Sequence, residues 1–150
     1  MPEPVVKSIT VPCAPARAYA LFTTEIASWW PLDKNSVSAM SGKVAQNIVV
    51  DVREGGEIWE IDFEGTQVLW GSFAKLSPGQ HLRINWHIGT SPDQATTVDV
   101  AFLPAGRGTK VVLTHSGWEV LGHRGEEMRK NYDSGWVYVF EDRFAAACRT

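Results

Sequence analysis

The sequence predicts an α+β domain: a long amphipathic helix packed on one face of a curved antiparallel sheet of six to seven strands. Three observations predict it. Residues 126–149 run without proline and, at 100° per residue, gather Met128, Tyr132, Gly135, Trp136, Val139, Phe140, Phe144 and Ala147 on one stripe. Ser134, Tyr138, Glu141 and Ala145 fall opposite. Between Asn47 and His115, apolar and polar residues alternate in closely spaced segments, the pattern of an antiparallel meander. Only one other region, after the first strand, has helical spacing, and helices segregated to one face of an antiparallel sheet define the α+β class.

The chain of 150 residues is long enough for one domain with a sizeable core, and a single domain over residues 1–150 is expected. A hydrophobic content of 44% with 21% charged residues argues against disorder. The net charge is −3 and the basic residues are scattered, so neither nucleic acid nor an anionic membrane is an expected partner. No apolar run reaches membrane-spanning length and the N-terminus has no leader pattern, which makes a cytoplasmic location the expectation. Cys13 and Cys148 form neither a disulfide framework nor a metal spacing. Free thiols are expected, with a bridge between the chain ends as the alternative.

Taken in order, residues 5–11 alternate and end at Pro12, giving a first strand. Pro15 then opens a helical region in which Ala18, Tyr19, Phe22, Ile26, Trp29 and Trp30 recur every three or four residues. Two short helices broken near Thr23 and Thr24 fit this spacing, and Pro31 ends it. Residues 32–46 form a polar connection longer than a compact domain needs, the kind that serves either as a lid or as a plain mobile loop. Strands are expected at residues 47–53, 57–63, 67–76, 80–88 and 95–103, followed by a last strand carrying Val111, Leu113 and His115 on one face. In residues 57–63, alternation places Glu57, Trp59, Ile61 and Phe63 inward and Ile58, Glu60 and Asp62 outward. Leu69 and Phe73 are likewise assigned to the outer face, where with Ile58 they suggest a homodimer surface.

A twisted sheet curls, and one helix about 10 Å wide cannot fill its concave side. A pocket between helix and sheet follows, walled by Trp59, Trp70, Trp86, Phe102, Tyr132, Trp136 and Phe140, with Trp30 at its mouth.

The order strand, two helices, six strands, long helix resembles the START-like (SRPBCC) superfamily with its helix-grip fold. More narrowly, the chain is similar to the group named after the activator of the heat-shock protein 90 ATPase. The stretches that carry the resemblance are WWP at Trp29, GGEIWEI at Gly55, VLWGSFAKLSPGQHLRINWHIG at Val68, GTKVVLTHSGWEVLG at Gly108 and GWVYVFEDRFAAA at Gly135. The resemblance implies a hydrophobic ligand held between helix and sheet, as in lipid carriers, plant hormone binders and polyketide cyclases. A chaperone activator carries a separate N-terminal region for which 150 residues leave no room, so co-chaperone activity stands only as an alternative.

His115 and Arg143 are the polar residues that pattern aims at the pocket. A neutral His115 would bond a ligand or act as a general base, unless a neighbouring side chain already satisfies it. Arg143, close to the apolar stripe, would hold a ligand carboxylate, pair with Glu57, or extend to water. Glu60 and Asp62 read as a solvated edge rather than an acid–base pair, and His81 and His87 lack a third metal ligand. No cofactor is expected. The reading is a protein that binds a small, mostly hydrophobic, aromatic or lipid-like molecule. The alternatives are a cyclase- or aromatase-like enzyme using His115 or Tyr132, and an interaction protein.

Overall fold

A computed structural model describes residues 2–150. Seven strands form one antiparallel sheet: β1 (Val5–Val11), β2 (Asn47–Val50), β3 (Glu57–Ile61), β4 (Gln67–Ser77), β5 (His81–Trp86), β6 (Thr96–Ala105) and β7 (Gly108–Ser116). Their order across the sheet is β1-β7-β6-β5-β4-β3-β2, so successive strands from β2 to β7 are hairpin neighbours and β1 closes against the last. Helix α1 (Pro15–Phe22) starts at a proline whose missing N–H is not needed there, and a short 3-10 turn (Ile26–Ser28) follows it. The break falls at Thr23, whose hydroxyl turns back to the Tyr19 carbonyl at 2.8 Å.

In β5, β6 and β7 the alternation predicts the faces correctly. Leu82, Ile84 and Trp86, then Thr96, Val98, Val100 and Phe102, then Val111, Leu113 and His115 are all buried. In β3 it does not. Ile58 and Glu60 point into the core, while Trp59 and Ile61 are half-buried and Phe63 and Glu57 are exposed. β3 alternates strictly but in the opposite phase, both of its alternate sets carrying large apolar side chains; in β4 a bulge breaks the period, since Ile58 pairs with Gly71 and Trp59 with Leu69, leaving Trp70 as an extra residue. A second register shift between Phe73 and Lys75 has the same effect beside β5. Trp70 and Phe73 therefore both reach the core although they are an odd number of residues apart. With Ile58 and Phe73 buried, the outer apolar patch that suggested a homodimer surface does not exist. Gly71, next to the bulge, has no room for a side chain, since a Cβ there would lie 2.1 Å from the Asn85 carbonyl oxygen.

The C-terminal helix begins, after 3-10 turns over Trp118–Arg124, as α2 (Gly125–Trp136). It continues through a widened π segment, Val137–Phe144, into a last turn, α3 (Ala145–Ala147). Trp136, Val139, Phe140 and Phe144 bury as the 100° stripe predicts. Beyond the π segment the stripe loses phase: Ala145, expected opposite, is buried, and so is Cys148, whereas Ala147 is only half-buried. The helix is tied to the edge strand by Lys7–Asp133 at 2.8 Å and by the Arg129 guanidinium, which donates to the Glu3 and Pro4 carbonyls. Cys13 and Cys148 are free thiols, and burial together with the neighbouring Cys13 pushes Cys148 up to about 12. No helix among the described residues is long and apolar enough to cross a membrane.

Candidate functional site: an indole-floored cleft

The helix, the end of β5 and the connection after Pro31 enclose a cleft of about 290 Å3. Trp86 and Ile88 come from the sheet, and Met128, Asn131, Tyr132, Gly135, Trp136 and Val139 from the helix. Trp30 and residues Lys34, Asn35, Ser36, Ala39 and Met40 of the connection supply the remaining wall. The floor is a cluster of indoles, with Trp30 at 5.8 Å from Trp86 and 6.0 Å from Trp136, and Trp86 at 5.5 Å from Trp136, measured between ring centroids. Such tilted and edge-on contacts are favourable for aromatic quadrupoles and hold the ring planes fixed.

Of the residues the sequence assigns to the pocket, Trp30, Trp86, Tyr132 and Trp136 line it. Trp70, Phe102 and Phe140 lie in the core beneath, with Trp70 5.3 Å from Trp30 as a support for the floor. Trp59 lies on the opposite face of the sheet, out of phase with the buried Ile58 and Glu60. Arg143 is exposed and donates its Nε–H to the Trp29 carbonyl at 3.1 Å, so it neither enters the cleft nor pairs with Glu57. Its long stem reaches water, as expected for a guanidinium near a helix end.

His115 sits below the cleft, fully buried, with both ring nitrogens occupied. The Trp136 indole N–H, which can only donate, gives its hydrogen to Nδ1 at 3.0 Å. Nε2 therefore carries the proton and donates to Thr96 Oγ1 at 2.7 Å, and that hydroxyl donates to the Trp86 carbonyl at 3.2 Å. This chain of three bonds fixes Trp136 and Trp86 relative to each other. His115 is a structural histidine that positions the floor, not a base facing a ligand. Burial lowers its pKa to about 3. An unfolded histidine titrates near 6.5, so between these values the unfolded chain takes up a proton that the folded chain refuses. Stability is therefore unaffected above pH 6.5 and is expected to fall as pH drops below it, by about 1.4 kcal/mol per pH unit from this group down to pH 3. Urea midpoints measured from pH 8 to pH 4 check this, and the His115→Gln variant should lack that component of the slope.

Tyr132 packs on His115, with centroids 4.6 Å apart, and its hydroxyl accepts the Trp86 indole hydrogen at 3.0 Å. Burial raises its pKa, with the Trp86 bond opposing, so it is a neutral phenol near pH 7.

The outer wall is anchored by a residue that alternation assigns to solvent. Glu60 is fully buried and its carboxylate accepts four hydrogen bonds: Val37 N–H at 2.7 Å, Ser38 N–H at 2.9 Å, Ser38 hydroxyl at 2.6 Å and the Trp70 indole at 2.9 Å. One acceptor-only side chain thus binds the connection to the sheet and to the support of the floor. Met40 carries the wall across to Gly89, where a Cβ would approach the Met40 methyl within 2.8 Å. The connection is a packed wall rather than a free loop. Sequence reasoning found no partner for it because nothing in the β3 pattern marks Glu60 as inward. Among the described residues no group of three His, Cys, Asp or Glu side chains could hold a metal ion; His81 instead pairs with Asp99 on the outer face.

This arrangement can be set beside known proteins. The family described as activator of Hsp90 ATPase homolog 1-like protein matches residues 12–148. The chain belongs to this family. Membership agrees with the helix-grip architecture, and solved structures share it. An anthrahydroquino-gama-pyrone synthase, Txn09, solved in complex with a compound designated SUM, is 28% identical with a TM-score of 0.66, over 97% of this chain and 99% of that one. CalC from Micromonospora echinospora, a self-sacrificing resistance protein, is 24% identical with a TM-score of 0.72, over 97% and 94%. CV1439 from Chromobacterium violaceum is 17% identical with a TM-score of 0.67, over 100% and 99%. The latter two likenesses concern the fold alone. No curated protein matches the sequence.

Proposed function

We propose that this family member binds a small, mostly apolar, ring-containing molecule in the cleft between helix and sheet. The observation that carries the reading is the floor: Trp30, Trp86 and Trp136 converge on a cavity of about 290 Å3, joined by the aliphatic and methionine side chains of Ala39, Met40, Ile88, Met128 and Val139. This size is at the lower end for small-molecule sites, which suits a ligand of two or three rings. The likeness to a synthase solved with a compound supports the reading. The direct test is titration with N-phenyl-1-naphthylamine, a neutral two-ring dye with an added phenyl group, read by energy transfer from tryptophan. Saturable transfer at one dye per chain is expected; emission that never saturates would contradict it.

An enzymatic use of the same cleft falls to Tyr132, because His115 has no free nitrogen and the other lining hydroxyl, of Ser36, gives its hydrogen to the Leu32 carbonyl, whereas that of Tyr132 is uncommitted. In that case Tyr132→Phe would lose turnover of a bound carbonyl compound while still binding it. Unchanged turnover in that variant would remove Tyr132 from the chemistry.

A further inference from the structure

The cleft offers ring faces but not indole nitrogens. The N–H of Trp30 is committed to the Asn35 carbonyl at 2.7 Å, that of Trp86 to Tyr132, and that of Trp136 to His115. Polar selection must therefore come from other lining groups. Among these one side chain is charged, Lys34, and none is a carboxylate. Asp33 precedes Lys34 in the chain but does not line the cleft. Lys34 is exposed, with Nζ 5.1 Å from the Tyr138 ring centroid, a contact weak enough at the surface to give way to an oxyanion. One further feature has the same sense. The Tyr132 hydroxyl receives a hydrogen from Trp86, and its own hydrogen has no acceptor among the described residues. Asn35 also reaches the lining: its NH2 group can donate to a ligand oxygen, whereas its buried, unpartnered side-chain oxygen can only accept from a ligand donor.

On the binding reading above, we infer that the cleft selects a planar aromatic anion, its rings on the indole faces and its oxyanion at Lys34. A cationic ligand finds no counter-charge in the lining, and a neutral hydrocarbon leaves Lys34, Asn35 and the Tyr132 hydrogen unused. The negative charge adds both attraction and orientation, since Lys34 sits at one side of the cavity only.

The test uses two dyes with the same ring system: 8-anilinonaphthalene-1-sulfonate, which is anionic, and neutral N-phenyl-1-naphthylamine. The quantity read is the ratio of their dissociation constants at low salt, in the wild-type protein and in Lys34→Gln and Lys34→Arg. The ratio should shift against the sulfonate by roughly two- to fivefold in Lys34→Gln, the factor expected of one exposed ion pair. It should be kept in Lys34→Arg and shrink in the wild type as salt is raised. A ratio unchanged by Lys34→Gln would overturn the inference while leaving the binding reading intact. Failure of both dyes to bind would overturn the two together.

Discussion

Replacing Gly135 with leucine is expected to close the cleft while leaving the fold intact. Gly135 lies on the helix between Tyr132 and Val139 and lines the cavity, and a Cβ built on it meets nothing within 4 Å. Its backbone is helical without positive φ, so a larger residue fits the conformation. Leucine there would occupy space now open above the indole floor. Ligand affinity should drop at least about tenfold, corresponding to about 1.4 kcal/mol or more. Helix propensity works in the other direction, because glycine in a helix costs about 0.8–1 kcal/mol relative to alanine and leucine is nearly as good as alanine. The variant should therefore unfold at equal or higher urea concentration and yet fail to bind N-phenyl-1-naphthylamine. Binding that survives unchanged would place the ligand elsewhere.

The second large effect is expected at Glu60. Its replacement by leucine leaves the Val37 and Ser38 amides and the Trp70 indole without their acceptor in a buried setting. At about 1–3 kcal/mol for each buried donor left unpaired, and allowing for relaxation of the connection toward water, a loss of about 3 kcal/mol or more is expected. The damage should also be directional. Residues 36–41 are held to the sheet through this carboxylate, so amide exchange at Val37 and Ser38 should accelerate well beyond what global destabilisation explains, and ligand affinity should fall with it. Glu60→Gln keeps the shape and one acceptor oxygen but turns an N–H2 group toward donors, so it should fall between the wild type and the leucine variant. Wild-type exchange rates at Val37 in Glu60→Leu would show that the wall is held by other contacts.

These two residues also mark the boundary of what the sequence discloses. Strict alternation in β5, β6 and β7 identifies the buried face residue by residue, and the spacing of Tyr132 and Trp136 identifies the helix face that meets the sheet. From these, four lining aromatics are legible: Trp30, Trp86, Tyr132 and Trp136. Legibility fails where geometry departs from a fixed period. The bulge at Trp70 breaks the period of β4, and in β3 the places of Trp59 and Glu60 are not legible because both sets of alternate residues in that strand contain large apolar side chains. The π segment shifts the helix phase after Trp136, which brings Ala145 and Cys148 inward. The wall formed by Lys34, Asn35 and Met40 depends on a tertiary bond between residues more than twenty apart, Glu60 to Ser38. Local pattern carries no record of it. His115 shows the complementary case: its inward direction is legible, but its role depends on what Trp136 and Thr96 do to its two nitrogens.

The indole N–H resonances give the most direct test of the cleft as the binding site. In a spectrum of uniformly 15N-labelled protein titrated with N-phenyl-1-naphthylamine, the side-chain signals of Trp30, Trp86 and Trp136 should shift together with one saturation curve. The signal of Trp59, on the other face of the sheet, should stay in place. Shifts confined to Trp59, or saturation with the three floor indoles unmoved, would contradict the account.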